Sequence, residues 1–378
     1  MRIERAKPCQ YEELQKFLEE VYGHSAGAFK EGWLEVWQKE NTEFDNSLLI
    51  SEENRIVAFL RVFPITLNQN GVTIESGGIG SVSTLYSHRG KGYMSKLLEE
   101  SFRLMDSKKM PISILWGDRH RYGFFGYENC GTCVELSIKS RGLNKFGIKS
   151  VETERFFYEE PALNEMIRTF NSNNYKRERN KKEFIDISSR RGSATYYAFH
   201  NQEFAYLILP STESSGAGNI LEFGGNPELL LGILKYLSER FSLSAFTLPF
   251  PSLNEVPKNL LDISSAWNIK HTFLMLKIID LKETLNLFIR QTDACFPDGE
   301  EITFTIKGRE SVTVSKTDGI VSVKEGKGKN EIFLNENDMV RLLFGSTFWA
   351  PSNINSKVFN LLRSFLPFKI FVWPTDYI

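Results

Sequence analysis

The spacing of apolar residues in the first third of the chain predicts helices at both ends of an antiparallel group of strands, followed by a buried strand. In the first helix, Leu14, Phe17 and Leu18 recur every three or four positions, as on one helix face. The pair Asn70-Gly71 is typical of a tight hairpin. The predicted elements are helices at Tyr11–Tyr22 and around Gly32–Lys39, strands at Ser47–Ser51, Ile56–Pro64 and Val72–Leu85, a helix at about Lys91–Asp106 and a strand at Pro111–Trp116.

The rest of the chain predicts two further units that also mix helices and strands. At 378 residues the chain is too long for one ordinary core, and we expect units at 1–150, 151–281 and 282–378. The fold class is therefore α+β. The elements predicted in the second and third units are a helix near Pro161–Phe170, strands near Thr195–His200 and Ala205–Leu209, a loop at Ser211–Asn219, a helix at Pro227–Phe241, strands at Ile302–Ile306, Val312–Ser315 and Gly319–Val323, and a helix near Asn337–Phe344.

The composition indicates which classes of binding partner are not expected. The chain is 41% hydrophobic and 25% charged with a net charge of -1, so bulk charge gives no indication of nucleic-acid binding. The longest apolar runs, such as Phe365–Val372, fall well short of the roughly 20 residues that span a bilayer, and we expect no membrane partner. Because the first residues are already charged, no signal peptide is predicted and a cytoplasmic protein is expected.

The cysteines do not indicate a disulfide framework or a metal site. Four cysteines in so long a chain favour a reducing compartment. Cys130 and Cys133 form a C-x-x-C, but no second pair of ligands at matching spacing accompanies them, and they lead into an alternating strand pattern rather than a helix. We interpret them as ordinary strand or turn residues and expect no metal.

A glycine-rich basic turn between a strand and a helix is the segment that best indicates chemistry. Gly90 and Gly92 would let the backbone approach an anion closely, and Arg89 and Lys91 add positive charge. The helix that follows carries an apolar stripe, and its first backbone N–H groups lack internal partners. Together with the helix dipole they form a site suited to a pyrophosphate.

Such a turn is a weak signal alone, and its exact spacing excludes two common nucleotide motifs. Neither the P-loop pattern nor the six-residue dinucleotide fingerprint is present. The run Arg89-Gly90-Lys91-Gly92-Tyr93-Met94 instead resembles the R/Q-x-x-G-x-G/A signature of GNAT acetyltransferases, with Met94 in place of the final small residue. This resemblance implies acetyl-CoA as co-substrate, bound by Ser81, Val82, Thr84, Arg89, Gly90, Lys91, Gly92, Tyr93 and Met94.

The whole chain further resembles the Eis-like branch of these enzymes. The stretch Tyr122–Tyr127 is similar to a Y-G-x-F-G-Y element whose first tyrosine protonates the departing thiolate. The resemblance implies that residues 1–150 are a GNAT domain, residues 151–281 a second GNAT-like domain and residues 282–378 a sterol-carrier-like domain. It also implies that Tyr122 is the general acid and that the terminal carboxylate of Ile378 is the base, while the strand at Ser81–Thr84 splays from its neighbour.

Candidate substrate contacts have simpler alternatives. Trp33 and Trp37 are four apart and would either line an amine pocket by cation–π contact or pack on the core. Asp376 would either attract a cationic substrate or lie in solvent. The acidic pocket residue that the resemblance implies between the first helices has no counterpart, because Ser25–Ala28 contains no carboxylate.

The resemblance therefore predicts an N-acetyltransferase that moves acetyl from acetyl-CoA to a primary amine of a small polyamine-like or aminoglycoside-like molecule. Two alternatives stay open from the sequence: acyl transfer to a protein or peptide amine, and a lipid- or acyl-CoA-binding module without turnover. The resemblance also implies a homo-oligomer, with a hexamer among its forms.

Overall fold

The computed structural model describes residues 2–211 and 216–377. Its first part begins with helices and continues into long antiparallel strands. The elements are β1 (Ile3–Arg5), α1 (Tyr11–Tyr22), α2 (Ala28–Gly32), α3 (Leu34–Trp37), β2 (Ser47–Glu52), β3 (Arg55–Gln69), β4 (Val72–Thr84), α4 (Tyr93–Ser107), β5 (Ile112–Trp116), α5 (Arg119–Tyr122) and β6 (Glu128–Asn129).

Most of these elements match the predicted ones, and the differences have local causes. The helix predicted around Gly32–Lys39 is two short helices, because Trp33 leaves the helical region with φ −137° and ψ 71°. Helix α4 begins at Tyr93 rather than Lys91, because Gly92 before it is left-handed. The hairpin at Asn70-Gly71 is confirmed, with both residues at positive φ as its turn type requires.

The middle of the chain is a second group of strands and helices. Its elements are β7 (Thr132–Lys139), α6 (Ser140–Lys145), β8 (Glu154–Arg155), α7 (Glu160–Asn171), β9 (Tyr175–Arg177), α8 (Lys181–Ser188), β10 (Ser193–His200), β11 (Glu203–Pro210), β12 (Ala217–Asn219), β13 (Glu222–Gly225), α9 (Pro227–Arg240), β14 (Ala245–Phe250), α10 (Lys258–Ile263) and β15 (Ala266–His271). Of the loop predicted at Ser211–Asn219, residues 212–215 lie outside the described residues, and the prediction is wrong at its end, because 217–219 pair with β14.

The last part returns to the first sheet before it forms a sheet of its own. Its elements are β16 (Leu274–Ile278), α11 (Leu281–Phe288), β17 (Glu301–Ile306), β18 (Ser311–Thr317), β19 (Ile320–Glu325), β20 (Glu331–Leu334), α12 (Glu336–Phe344) and α13 (Ser356–Phe365). Strand β16 lies between β5 and β6, and the final sheet has the order β19-β18-β17-β20. The fold is thus a mixed α+β fold with several sheets.

Two hydrophobic cores organise the chain. One joins residues before Cys130 to residues after Leu274, and the other lies between Cys133 and Ile263 and takes in Phe371 and Trp373. The chain therefore passes from one core to the other around residues 130–133 and returns around residues 263–274. The domain boundaries at 150 and 281, and the sterol-carrier likeness of residues 282–378, stay predictions.

The C-terminal segment crosses both cores. Gln69, at the end of β3, exchanges two hydrogen bonds with the backbone of Phe371, donating to its carbonyl at 3.0 Å and accepting from its N–H at 2.8 Å. The indole of Trp373 donates to the carbonyl of Tyr175 at 3.0 Å. These buried contacts hold the segment in place up to its last described residue, Tyr377.

The cysteines are free thiols, and Cys130 and Cys133 are buried. Burial raises the pKa of Cys133 to about 11, so its thiol is protonated at neutral pH. Across residues 2–211 and 216–377, no helix is both long and apolar enough to span a bilayer.

Candidate active site

A cleft opens where β4 and β5 diverge. Strand β4 stays paired with β3 from Val72 to Thr84, but it pairs with β5 only at Ser76–Gly78. Strand β5 stays paired with β16 on its other side along its full length. Beyond Gly78 the two parallel strands therefore separate, and the edge of β4 from Ile79 onward faces the gap. This is the splay that the resemblance implied.

A β-bulge lies at the mouth of this cleft. Phe59 faces Ser83 while Arg61 faces Gly80, so Ser81 and Val82 together oppose a single residue of β3. Ser81 has a positive φ of 54°. Because a bulge turns backbone groups out of the ladder, Ser81 and Val82 can offer main-chain atoms to a molecule in the cleft. Both residues are half-buried there, as is Thr84.

The glycine-rich turn leads from the cleft into α4. Gly90 and Gly92 have φ of 78° and 77°, and an added Cβ at either would meet no protein atom within 4 Å. Within the protein itself, glycine is needed here for the left-handed backbone and not for space. Gly92, at the N-cap of α4, has no side chain to cap the helix, so within the described residues its first amides can bind an anion. Met94 is half-buried and packs against the first core.

The basic residues of the turn have different surroundings. The guanidinium of Arg89 lies 5.3 Å from the ring of Tyr86 and makes no ion pair within the described residues. Lys91 pairs with Glu52 at 3.2 Å. Glu52 also accepts from the phenol of Tyr93, which lowers the pKa of this carboxyl together with Lys91. Arg89 is therefore the turn's uncompensated positive charge.

Tyr122 lies beyond the end of β5, at the end of α5. Its ring packs on Gly117, where an added Cβ would lie 2.4 Å from Cε2, so a larger residue at 117 would displace the ring. Burial raises the pKa of Tyr122 above that of an ordinary phenol. The hydroxyl is therefore protonated at neutral pH, as a general acid requires.

Two residues that sequence reasoning missed border the same region. Tyr22, the last residue of α1, donates from its hydroxyl to the carbonyl of Val82 at 3.2 Å. Burial, and next the proximity of Tyr122, raise the pKa of Tyr22 to about 12. Trp116, the last residue of β5, stacks on Tyr377 with ring centroids 4.5 Å apart. Their places at element ends were readable from the sequence, but their partners were not.

The C-terminal segment thus reaches the end of β5. Ile378 lies outside the described residues, and its role stays a prediction. Asp376 does not lie in solvent, because it is buried and pairs with Arg179 at 2.7 Å. Arg179 also pairs with Glu222 at 2.7 Å. Burial disfavours its charge, but the two carboxylates outweigh that effect and raise its pKa above the ordinary value. Asp376 therefore has an internal cation as its partner.

The two tryptophans proposed for an amine pocket differ in exposure. Trp37 is buried in the first core, and the guanidinium of Arg61 lies 5.1 Å from its ring. The cation beside the ring of Trp37 is thus a residue of the protein itself. Trp37 fits the core-packing alternative and not the amine pocket. Trp33 is half-buried and packs on Phe29 at 5.8 Å. Within the described ranges, no cluster of His, Cys, Asp or Glu could hold a metal ion.

Comparisons with known proteins agree with this geometry. Residues 2–130 match the family model described as an acetyltransferase (GNAT) domain. A GCN5-related N-acetyltransferase from Anabaena variabilis has a similar fold over 100% of both chains, with 15% identity and a TM-score of 0.72. A probable N-acyltransferase from Enterococcus faecalis is 16% identical with a TM-score of 0.75, over 100% of this chain and 99% of that one.

Eis1 from Mycobacterium abscessus also has a similar fold, with 10% identity and a TM-score of 0.69 over 100% of both chains. At such identities the solved structures show the shared fold. No protein of curated function matches the sequence.

Proposed function

We propose that this chain, whose residues 2–130 match the family model of a GNAT acetyltransferase domain, moves acetyl from acetyl-CoA to a primary amine of a small polyamine-like or aminoglycoside-like molecule. The observation that carries the proposal is the cleft between β4 and β5, which lies between the uncapped start of α4 and Tyr122. The choice of acceptor comes from the resemblance of the sequence to the Eis-like branch.

The start of α4 would hold the co-substrate. The amides that follow Gly90 and Gly92 would bind the pyrophosphate, and Arg89 would add charge to the same anion. The bulged edge of β4, at Ser81–Thr84, would bind the pantetheine arm through its backbone. An amide of this edge would stabilise the oxyanion that forms when the amine attacks the thioester carbonyl.

Tyr122 would donate its phenolic proton to the sulfur as the carbon–sulfur bond breaks. Its protonated state at neutral pH supports this role. The attacking amine must lose a proton, and the α-carboxylate of Ile378 would accept it directly or through a water. The stacking of Tyr377 on Trp116 supports that assignment, because it places Tyr377, the residue before Ile378 in the sequence, at the end of β5.

The test is turnover by the purified full chain. Free thiol released from acetyl-CoA is measured against a panel of polyamines, aminoglycosides and peptides with free amino termini. We expect release with one of the first two classes, and its absence across the panel would contradict the proposal. Acetylation of peptides alone would favour the protein-acyltransferase alternative.

The base is tested separately by adding two glycines after Ile378. Removal of the carboxylate from its place should lower kcat by about 10²-fold or more, the range for general-base loss, while coenzyme A binding is retained. Two glycines inserted after Met1 are the matched control. Equal kcat in the extended and control proteins would exclude the C-terminal carboxylate as base.

A further inference from the structure

A cavity lies in the middle of the chain, away from the cleft between β4 and β5. It has a volume of about 510 Å³, within the range of small-molecule sites. Phe223 and Gly224 of β13 and Phe250 at the end of β14 border it, as do Tyr175 and Trp373. The activity proposed above makes no use of it.

The strands around this cavity repeat the arrangement of the first cleft. Strand β12 pairs in parallel with β14, and the chain then continues as β13, which pairs only with β11. The switch occurs at Ile220 and Leu221, whose N–H groups donate to Thr247 and Ile208 respectively. The cavity lies where β13 and β14 separate, and α9 begins directly after β13. It therefore corresponds in topology to the cleft between β4 and β5.

The start of α9, however, is closed to a phosphate. Asn226 caps the helix, and its Oδ1 accepts from the N–H groups of Glu228 at 2.8 Å and Leu229 at 3.1 Å. Pro227, the first helical residue, has no N–H. The amides that would bind a pyrophosphate at this end of α9 are thus occupied or missing, in contrast to those of α4.

Charge at the cavity favours a cation instead. Glu203 and Glu255 border it and form no ion pair within residues 2–211 and 216–377. Arg168 also borders it, but its guanidinium is bound to Glu165 at 2.8 Å. Burial, and next the negative charge of Glu255, raise the pKa of Tyr175 to about 12, so its phenol is uncharged at neutral pH.

The cavity wall supplies the apolar part of such a site. Phe223 packs edge-on against Phe250 at 5.0 Å and against Trp373 at 5.4 Å, which gives a wall of buried aromatic rings. Aromatic faces beside carboxylates are the usual surroundings of a bound quaternary or alkylated ammonium group. Asn173 also borders the cavity, and its Nδ2 is buried without a hydrogen-bond partner among the described residues.

We propose that this cavity is a second ligand site, which binds an organic ammonium ion. The strands beside it have the same arrangement as the strands of the first cleft. Because its helix is capped and its border is acidic, it would bind a cation, whereas the first cleft would bind an anion. The ligand would contact Trp373, four residues before the end of the described C-terminal segment.

Choline is a suitable probe, and 3,3-dimethylbutan-1-ol is its neutral isostere. Binding of each to the full chain is measured by calorimetry without acetyl-CoA, so that the result does not depend on turnover. We expect choline to bind at least about tenfold more tightly than the isostere, the scale of a desolvated cation–π contact. Equal binding of the two, or no choline binding up to about 50 mM, would overturn the proposal.

Variants locate the site. Glu255→Gln and Phe223→Leu should each weaken choline binding about tenfold, the latter by loss of the aromatic face. Glu152→Gln, at an exposed position outside the cavity, and Tyr122→Phe, in the first cleft, should leave it unchanged. Glu255→Gln changes only a surface carboxylate and is expected to fold. Choline binding that is lost in Tyr122→Phe but kept in Glu255→Gln would assign the cation to the first cleft and overturn the proposal.

Discussion

Tyr377 stacks on Trp116 with ring centroids 4.5 Å apart and an angle of 29° between the rings. The contact joins the last described residue of the chain to the last residue of β5, beyond the point where β4 and β5 stop pairing. A C-terminal end is normally frayed unless it is held down. Here the stack holds Tyr377 at the end of β5, and the buried pair with Arg179 holds Asp376.

The pair between Arg179 and Asp376 should position the C-terminal segment for catalysis. Asp376→Asn removes one carboxylate from a buried guanidinium that keeps Glu222, so we expect the free energy of unfolding to fall by about 3 kcal/mol. The looser segment should lower kcat about tenfold and leave the KM for acetyl-CoA within about twofold. Asp318→Asn, in an exposed turn, is the control. A change in stability with unchanged kcat would limit Asp376 to a structural role.

Tyr122→Phe should remove the proton donor while keeping the ring that packs on Gly117. We expect kcat to fall by about 10²- to 10³-fold, the usual contribution of a general acid, with little change in coenzyme A affinity. Steady-state kinetics and calorimetry measure the two quantities. Tyr158→Phe, at an exposed tyrosine, is the matched control. Loss of less than about threefold in kcat would exclude Tyr122 as the acid.

The pH dependence of turnover follows from the raised pKa of Tyr122. A phenol whose pKa lies above its ordinary value keeps its proton to higher pH, so the acid form is present throughout the neutral and mildly alkaline range. We expect kcat to rise with pH as the acceptor amine loses its proton, without a decline below about pH 10. A falling limb centred near pH 8 in the wild type would contradict this assignment.

Gly92→Ala tests the anion site at the start of α4. Gly71→Ala, in the hairpin, is the matched control, because both glycines have a left-handed backbone. Gly92 and Gly71 have φ of 77° and 82°, and an added Cβ at either would meet no atom within 4 Å. Each alanine should therefore lower the free energy of unfolding by about 1 kcal/mol. Only Gly92→Ala should raise the KM for acetyl-CoA, by about tenfold, because only its backbone precedes the amides of α4. Equal KM values in the two variants would contradict the site.

Local pattern predicted the elements of the first unit well. The bounds of α1 match its apolar spacing, and Asn70-Gly71 forms its hairpin, because both depend on residues close in sequence. The pairing of strands that are distant in sequence could not be predicted in this way. The position of β16 between β5 and β6 is set by packing in a shared core, and its sequence shows only that the strand is buried.

The candidate site shows the same difference between local features, which the sequence predicts, and long-range contacts, which it does not. The glycine turn and Tyr122 could be proposed from the sequence because each belongs to a short motif, and their roles stay predictions. The partner of Asp376 was not found, because Arg179 lies 197 residues away and the spacing of charged residues does not identify their partners. The repeated splay at β12 and β13 was also invisible, because it depends on which strand each segment pairs with and not on shared residues.

A crystal structure of the full chain with coenzyme A tests the central claim most directly. The account predicts the pyrophosphate on the amides that follow Gly90 and Gly92, with the sulfur in hydrogen-bond reach of the Tyr122 hydroxyl and close to the carboxylate of Ile378. Coenzyme A bound elsewhere, or a sulfur far from both groups, would contradict it.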